Sequence, residues 1–267
     1  MNKQMSAQDP APAPASLSRN RVARRFSISG VMLGLLATGL ILFGYATARG
    51  EELDSLRGEH VGWARLKTPS QHWMRHSTGD PVLMKFLREN SSLNIDPTWY
   101  IADSDNLQEM CAYPLLFSQG VAVINSSRAC NNIAEYTRRG GFLLIDACIN
   151  KDITPDPDLF LSQQIGFLQR ILPETRVSEL PADHKIYRCY FQIPGGNPPH
   201  TYYNNIYNQR WAKHGLYGIW IGSRMVGLIS LSGLQCGWDK MVAPPGHDVA
   251  CMKMLVNIYV YAMLQGG

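Results

Sequence analysis

The chain has 267 residues and a mass of 29.9 kDa; 45% of its residues are hydrophobic and 17% are charged. That length suits one large domain or two small ones, and the hydrophobic content can bury a core, which excludes disorder over most of the chain. The mean hydropathy of −0.15 and the presence of one long apolar run argue against a protein with many membrane spans.

The net charge of +4 comes from the N-terminus. Residues 1–27 contain five basic residues and one acidic residue, and the rest of the chain has no net charge. A basic protein suggests a nucleic-acid partner, but the neutral body of this chain predicts none. A basic cluster directly before an apolar run is typical of membrane targeting.

This pattern divides the chain into three regions. Residues 1–25 are predicted to be a flexible basic tail in the cytoplasm, and residues 50–267 are predicted to form one exported α/β domain. Between them, residues 26–48 carry no charge, and this segment is long enough to cross a hydrocarbon core of ~30 Å. The membrane is therefore an expected partner, and a protein partner is expected as well.

Two fates are open for residues 26–48. The segment is either a permanent transmembrane anchor or a cleaved signal, because Arg24-Arg25 resembles a twin-arginine motif and Ala46-Thr47-Ala48 resembles a cleavage site. An anchor leaves the domain on the periplasmic side of the cytoplasmic membrane, and cleavage releases it to the periplasm.

The domain contains helix and strand patterns in alternation. Helices are predicted at 80–90, where Asp80 is the expected N-cap, and at 128–139, 157–172 and 249–264, from apolar residues at helical spacing. Strands are predicted at 99–101, 113–117, 120–124 and 142–145, and a hairpin or a pair of edge strands at 216–221 and 225–230. A continuous apolar strand directly after a helix indicates a mostly parallel sheet with both faces covered.

Histidine and cysteine spacing predicts no metal site and no cofactor. The six cysteines have no Cys-x-x-Cys or zinc-type spacing, although an oxidising compartment would permit disulfides. His72 and His76 have the spacing of metal ligands on one helix face, but no third ligand lies near them in the sequence.

A set of short motifs in a fixed order resembles the bacterial domain of unknown function DUF4159 over roughly residues 60–265. The motifs are Trp73 with His76-Ser77, Asp80, Leu83-Met84-x-Phe86-Leu87, Tyr113-Pro114-Leu115, Arg139-Gly140-Gly141-Phe142-Leu143 with Asp146, Leu180-Pro181-x-Asp183-His184 with Ile186, Gly237-Trp238-Asp239, Asn257-Ile258 and Tyr261. The resemblance implies a flavodoxin-like, three-layer α/β fold related to class I glutamine amidotransferase-like domains, and frequent export or membrane anchoring. It implies no activity.

An amidotransferase-like enzyme needs a thiolate nucleophile and a histidine to activate it. Cys148 lies near the expected position, and His184 is the candidate base. The residues around Cys148 include no glycine, whereas a tight nucleophile elbow needs small neighbours. Cys148 is therefore expected to be peripheral.

Ligands of open α/β sheets bind beyond the carboxyl ends of the strands. This rule selects Asp146, and Asn125 and Ser126 after another predicted strand, as site candidates. Asp183, His184 and Asp239 join them as polar residues of the motifs. We expect Asp146 and His184 to approach each other and share a polar site.

Two functions are compatible with the sequence. The first is a non-catalytic binding or assembly module on the outer side of the membrane. The alternative is an amidotransferase-like or hydrolytic enzyme that uses Asp146, Cys148 and His184.

Overall fold

The computed structural model describes residues 60–149, 153–196, 199, 210–211, 213–239 and 245–265. The predicted cytoplasmic tail and membrane segment lie outside these residues. Among the helices that are described, none is long and apolar enough to cross a membrane.

Seven strands form a single, mostly parallel sheet. Its order is β2-β1-β3-β4-β7-β6-β5; β5–β6 and β6–β7 are the antiparallel pairs. The strands are β1 His60–Lys67, β2 Asn94–Asp103, β3 Leu115–Ser118, β4 Phe142–Asp146, β5 Thr175–Glu179, β6 Leu216–Ile221 and β7 Arg224–Ser230.

Helices cover both faces of the sheet, as its buried central strands require. They are α1 Asp80–Asn90, α2 Leu107–Cys111, α3 Ser127–Arg138, α4 Pro157–Ile171, α5 Leu234–Trp238 and α6 His247–Gln265. Helices α1, α5 and α6 contribute to the hydrophobic core on one face, and α2, α3 and α4 to the core on the other. Short 3₁₀ turns at Gln71–Met74 and Ser77–Gly79 connect β1 to α1.

Most of the periodic segments are confirmed. The predicted helices coincide with α1, α3, α4 and α6, and the segment 142–145 lies in β4. Residues 216–230 form a hairpin whose turn contains Gly222 at φ 60°. The hairpin is not at the edge, because β7 pairs with β4 and β6 pairs with β5.

The strand predicted at 120–124 is wrong. The backbone N–H groups of Val121 and Ala122 donate to Oε1 of Gln164 on α4, at 2.8 and 3.2 Å, and Ile124 closes a turn onto the Val121 carbonyl. Because a side chain takes these N–H groups, the segment does not pair with a strand. Its apolar residues Val121 and Ile124 are still buried, which explains the pattern.

The prediction that Asp80 caps a helix is wrong. Asp80 is the first residue of α1, is fully buried, and its carboxylate accepts two hydrogen bonds from the guanidinium of Arg65 on β1, at 2.5 and 2.7 Å. A fully buried guanidinium needs a counter-charge, and this requirement determines the position of the Asp80 side chain.

Candidate functional site

Three segments that follow the carboxyl ends of parallel strands meet at one place. His76 lies in the connection after β1, Cys148 lies two residues after β4, and Asp239 directly follows α5, the short helix after β7. Strands β1, β4 and β7 run in the same direction, so their carboxyl ends share one edge of the sheet. This edge is where α/β sheets bind ligands.

The three side chains form a continuous line of contacts. Cys148 Sγ lies 3.7 Å from Nε2 of His76, and Nδ1 of the same ring lies 2.7 Å from Oδ2 of Asp239. The other carboxylate oxygen of Asp239 accepts a hydrogen bond from Oγ1 of Thr78 at 3.0 Å. A thiol, an imidazole and an orienting carboxylate are therefore in the sequence of contacts used by cysteine nucleophiles.

The contacts favour the charged forms of the thiol and the imidazole. Interaction with the Cys236 thiol, and then with the His76 ring, lowers the pKa of Cys148 to about 5. The contact with Cys148, followed by that with Asp239, raises the pKa of His76 despite its partial burial. Cys148 is thus a thiolate at neutral pH, beside an imidazole whose protonated form these contacts favour.

Cys236, on α5, is the fourth member of the cluster. Its sulfur, the Cys148 sulfur and a ring nitrogen of His76 all lie within 4.8 Å of one another. The neighbouring Cys148 and burial raise the pKa of Cys236 well above its ordinary value. The two thiols therefore differ in character: Cys148 is acidic, and Cys236 stays protonated and donates to it.

The backbone at His76 is held in an unusual conformation. His76 has φ 59°, the left-handed region, and no other non-glycine residue of the described ranges has a positive φ. Such strain persists where the surroundings impose it, and it clusters at functional sites. Arg65 imposes it here by donating to the carbonyl oxygens of Trp73, Arg75 and His76, at 2.9, 3.0 and 3.4 Å.

Asp146 acts on the site through α5. Its buried carboxylate accepts hydrogen bonds from the backbone N–H groups of Leu234 and Gln235, at 3.1 and 2.9 Å, which are the first two residues of that helix. Burial raises the pKa of Asp146 to about 7. This carboxylate fixes the helix that carries Cys236 and leads into Asp239.

A cavity of about 130 Å³ adjoins Cys148. The side chains of Thr68, His72, Gln119 and Gln164 are among those that line it. Oε1 of Gln119 is buried and has no hydrogen-bond partner within the described part of the chain. The cavity therefore offers Cys148 a small compartment with polar groups on its wall.

The structure does not bring Asp146 and His184 together. Asp146 ends β4, whereas His184 lies in the connection after β5, and these two strands are three positions apart in the sheet, or ~14 Å. The His184 ring packs on Tyr261 and Trp220, with centroids 5.3 and 6.2 Å apart, and shares no contact with Asp146. This geometry corrects the prediction that Asp146 and His184 share a site, because each residue is held by its own neighbours. The histidine beside Cys148 is His76.

The other predicted ligand-binding residues, apart from Asp239, lie elsewhere. Ser126 caps α3 by accepting from the Ala129 N–H and donates to Asp105, which are structural roles. Asn125 is exposed beside a separate surface depression, and Asp183 is exposed. His72 and His76 do not share a helix face, because they lie in separate turns.

Sequence reasoning missed the pairing of His76 with Asp239 and with Cys148. His76 and Asp239 are 163 positions apart, and no local pattern connects them. Both belong to the ordered motifs quoted above, which was the available signal. A three-ligand cluster with no zinc-type spacing was likewise not visible, because its members come from three different connections.

Comparison with known proteins gives a family and no activity. The family model described as domain of unknown function (DUF4159) matches residues 63–263, about three quarters of the chain. The matched range includes His76, Cys148, Cys236 and Asp239. No curated protein matches the chain.

Proposed function

The chain belongs to the DUF4159 family of domains of unknown function, and from the geometry of its site we propose that it is a cysteine-dependent hydrolase or acyltransferase. The observation that carries this proposal is the line Cys148 Sγ, His76 Nε2, His76 Nδ1 and Asp239 Oδ2, with separations of 3.7 and 2.7 Å at its two contacts. The nucleophile of this site is Cys148, the acid and base is His76, and the positioning carboxylate is Asp239.

Each of the three residues has a defined role in the steps of acyl transfer. The Cys148 thiolate adds to a carbonyl carbon, and the C–S bond forms as the carbonyl π pair moves to oxygen. When that pair returns, the bond to the leaving group breaks, and His76 donates its Nε2 proton to that group. His76 then takes a proton from water or an acceptor, which attacks the thioester and restores the thiolate. Asp239 holds the ring through Nδ1 throughout.

The strand order supports a relation to class I glutamine amidotransferase-like domains, which the sequence resemblance implied. The run β2-β1-β3-β4 is the order at the start of flavodoxin-like sheets. One departure matters for the mechanism: α4 begins at Pro157, nine residues after Cys148. Cys148 therefore does not lie on a tight strand–helix elbow, and its acidity is supported by Cys236 and His76 instead.

A binding or assembly module is the other candidate function. It would use the cavity beside Cys148 without chemistry, but it has no need for an acidic thiol or for a strained histidine backbone. We therefore favour the enzyme.

For location we propose the outer side of the cytoplasmic membrane, or the periplasm if residues 26–48 are cleaved, with a membrane or protein partner.

Acylation by a simple activated ester tests the enzyme proposal. Full-length reduced, metal-free protein in detergent is mixed with p-nitrophenyl acetate, and released p-nitrophenolate and acetylated peptides are measured. We expect one equivalent of rapid release per chain and acetyl on Cys148. Cys148→Ser should abolish it, and His76→Asn should slow it by about 10²- to 10⁴-fold.

Cys130→Ser is the matched control, because Cys130 lies on α3 outside the site. It should leave the rapid release unchanged. Acetylation of Cys148 at the same rate in His76→Asn, or its absence from the wild type, would contradict the proposal.

A further inference from the structure

A histidine nitrogen and two cysteine sulfurs form a compact donor cluster at the site. The three atoms belong to His76, Cys148 and Cys236, all lie within 4.8 Å of one another, and both cysteines are buried. Acyl transfer by Cys148 and His76 does not require a second cysteine as a ligand. Cys236 supports the acidity of Cys148, and its buried sulfur also adds a third donor atom that acyl transfer does not use.

The distances are close to those of a tetrahedral zinc site. Zn–S bonds of ~2.3 Å and Zn–N bonds of ~2.0–2.1 Å place neighbouring ligand atoms about 3.5–3.8 Å apart. The Cys148–His76 separation of 3.7 Å already has this value. The remaining pairs, each within 4.8 Å, need to close by about 1.3 Å at most to reach it.

The surroundings of His76 are those of a metal ligand. Asp239 accepts from the Nδ1 side of the ring at 2.7 Å, which leaves the lone pair of the neutral ring on Nε2, toward Cys148. A carboxylate behind a ligating histidine is the usual outer-shell partner of zinc. Thr78 in turn orients Asp239, and Asp146 holds the start of the helix that carries Cys236.

The chemistry of the three ligand atoms favours one kind of metal ion. Two thiolates and an imidazole are soft and borderline ligands, which suit Zn²⁺ and not Mg²⁺ or Ca²⁺. Zn²⁺ with two thiolates also has no net charge, which suits a buried position. Three protein ligands leave a fourth position for water or a small ligand.

We propose that His76, Cys148 and Cys236 bind one Zn²⁺ ion, and that the bound metal blocks acylation of Cys148. While its thiolate is a ligand, the sulfur donates a lone pair to Zn²⁺ and loses charge to the metal, so Cys148 is no longer a free nucleophile. The metal site itself does not depend on the proposed function; only the block of acylation rests on it.

Zinc uptake by the full chain tests this inference. Reduced, metal-free protein in detergent is titrated with Zn²⁺ in competition with a chromophoric chelator, and with Co²⁺ followed by its thiolate and tetrahedral absorption bands. We expect one Zn²⁺ per chain in the wild type. Asp239→Asn should weaken binding by about 10- to 100-fold, as for other outer-shell partners, and Cys236→Ser, which removes a ligand, should weaken it further.

Cys189→Ser is the matched control, because Cys189 is half-buried and its thiol donates to the Asn257 carbonyl, away from the cluster. It should bind Zn²⁺ like the wild type. Thermal melts of all variants identify any that fails to fold. If Cys236→Ser fails to fold, His76→Asn serves as a second variant that lacks one ligand. No uptake by the wild type, or uptake by Cys236→Ser and His76→Asn equal to that of the wild type, overturns the site.

The acetylation assay separates the two proposals. Zn²⁺ should abolish acetylation of Cys148 in the wild type but not in Cys236→Ser. If metal-free wild-type protein is not acetylated yet binds Zn²⁺, the enzyme proposal fails and the metal site stands. If it is acetylated but takes up no Zn²⁺, the reverse holds.

Discussion

Replacing Arg65 with methionine is expected to lower the free energy of unfolding by about 3–5 kcal/mol, because it leaves the fully buried Asp80 carboxylate without its counter-charge. The same change removes the hydrogen-bond donors of three carbonyl groups in residues 73–76. Urea unfolding of the full chain in detergent, followed by tryptophan fluorescence, measures the loss.

Lys67→Met is the matched control on the same strand. Lys67 pairs with Asp103 at 2.7 Å, but half of its side chain is exposed, so water screens the pair. We expect its effect to be several-fold smaller than that of Arg65→Met. Equal effects of the two variants would show that the buried pair has no special role.

Replacing Asp146 with asparagine is expected to change how stability depends on pH. Burial raises the pKa of Asp146 from 3.8 to about 7 in the folded chain. Between these values the folded chain holds a proton that the unfolded chain releases, so this group makes stability fall as pH rises from about 4 to about 7. The fall is on the order of 4 kcal/mol, and asparagine abolishes it.

The difference in unfolding free energy between wild type and Asp146→Asn across this pH range isolates the contribution of Asp146. Asp103→Asn is a control in which the contribution to stability changes with pH in the opposite direction, because Lys67 lowers the pKa of Asp103. Asp103 therefore contributes stability that is present above its unfolded pKa and is lost as pH falls. A difference for Asp146→Asn that does not vary with pH would mean that the carboxylate is ionised throughout.

Segments with a strong local period were predictable. In α3 the apolar spacing marks the buried face, whereas in β4 and in the middle of α6 nearly every residue is buried, as their almost continuous apolar runs indicate; in all three, pattern and structure agree. Strand β1 was not predicted: it has a charged Arg65 at its centre, and only the distant Asp80 makes that charge tolerable. The strand prediction at 120–124 failed for a related reason. Gln164, 42 residues or more away along the chain, accepts hydrogen bonds from N–H groups of this segment.

The location of the site could be predicted from the sequence, but the residues that form it could not. The rule that ligands bind at strand carboxyl ends led to the segment after β4, where Cys148 and Asp146 both lie. A strand-end carboxylate looked like the functional group and a cysteine without glycine neighbours looked peripheral. Contacts with His76 and Cys236, from connections 72 and 88 residues away, give Cys148 its acidity, and the N–H groups of α5 make Asp146 a cap.

The central claim is that Cys148 is an acidic thiolate because of its neighbours, and the pH dependence of its alkylation tests this most directly. Metal-free full-length protein is treated with iodoacetamide across a pH series, and the modification of each cysteine peptide is followed by mass spectrometry. The labelling rate of Cys148 should be half-maximal near pH 5 and constant above about pH 6.5. Cys189, whose pKa is raised by burial, should label faster with each step in pH above about 8. His76→Asn should move the Cys148 midpoint upward. A Cys148 rate that keeps rising about tenfold per pH unit through neutrality, in the wild type as in His76→Asn, would contradict the account.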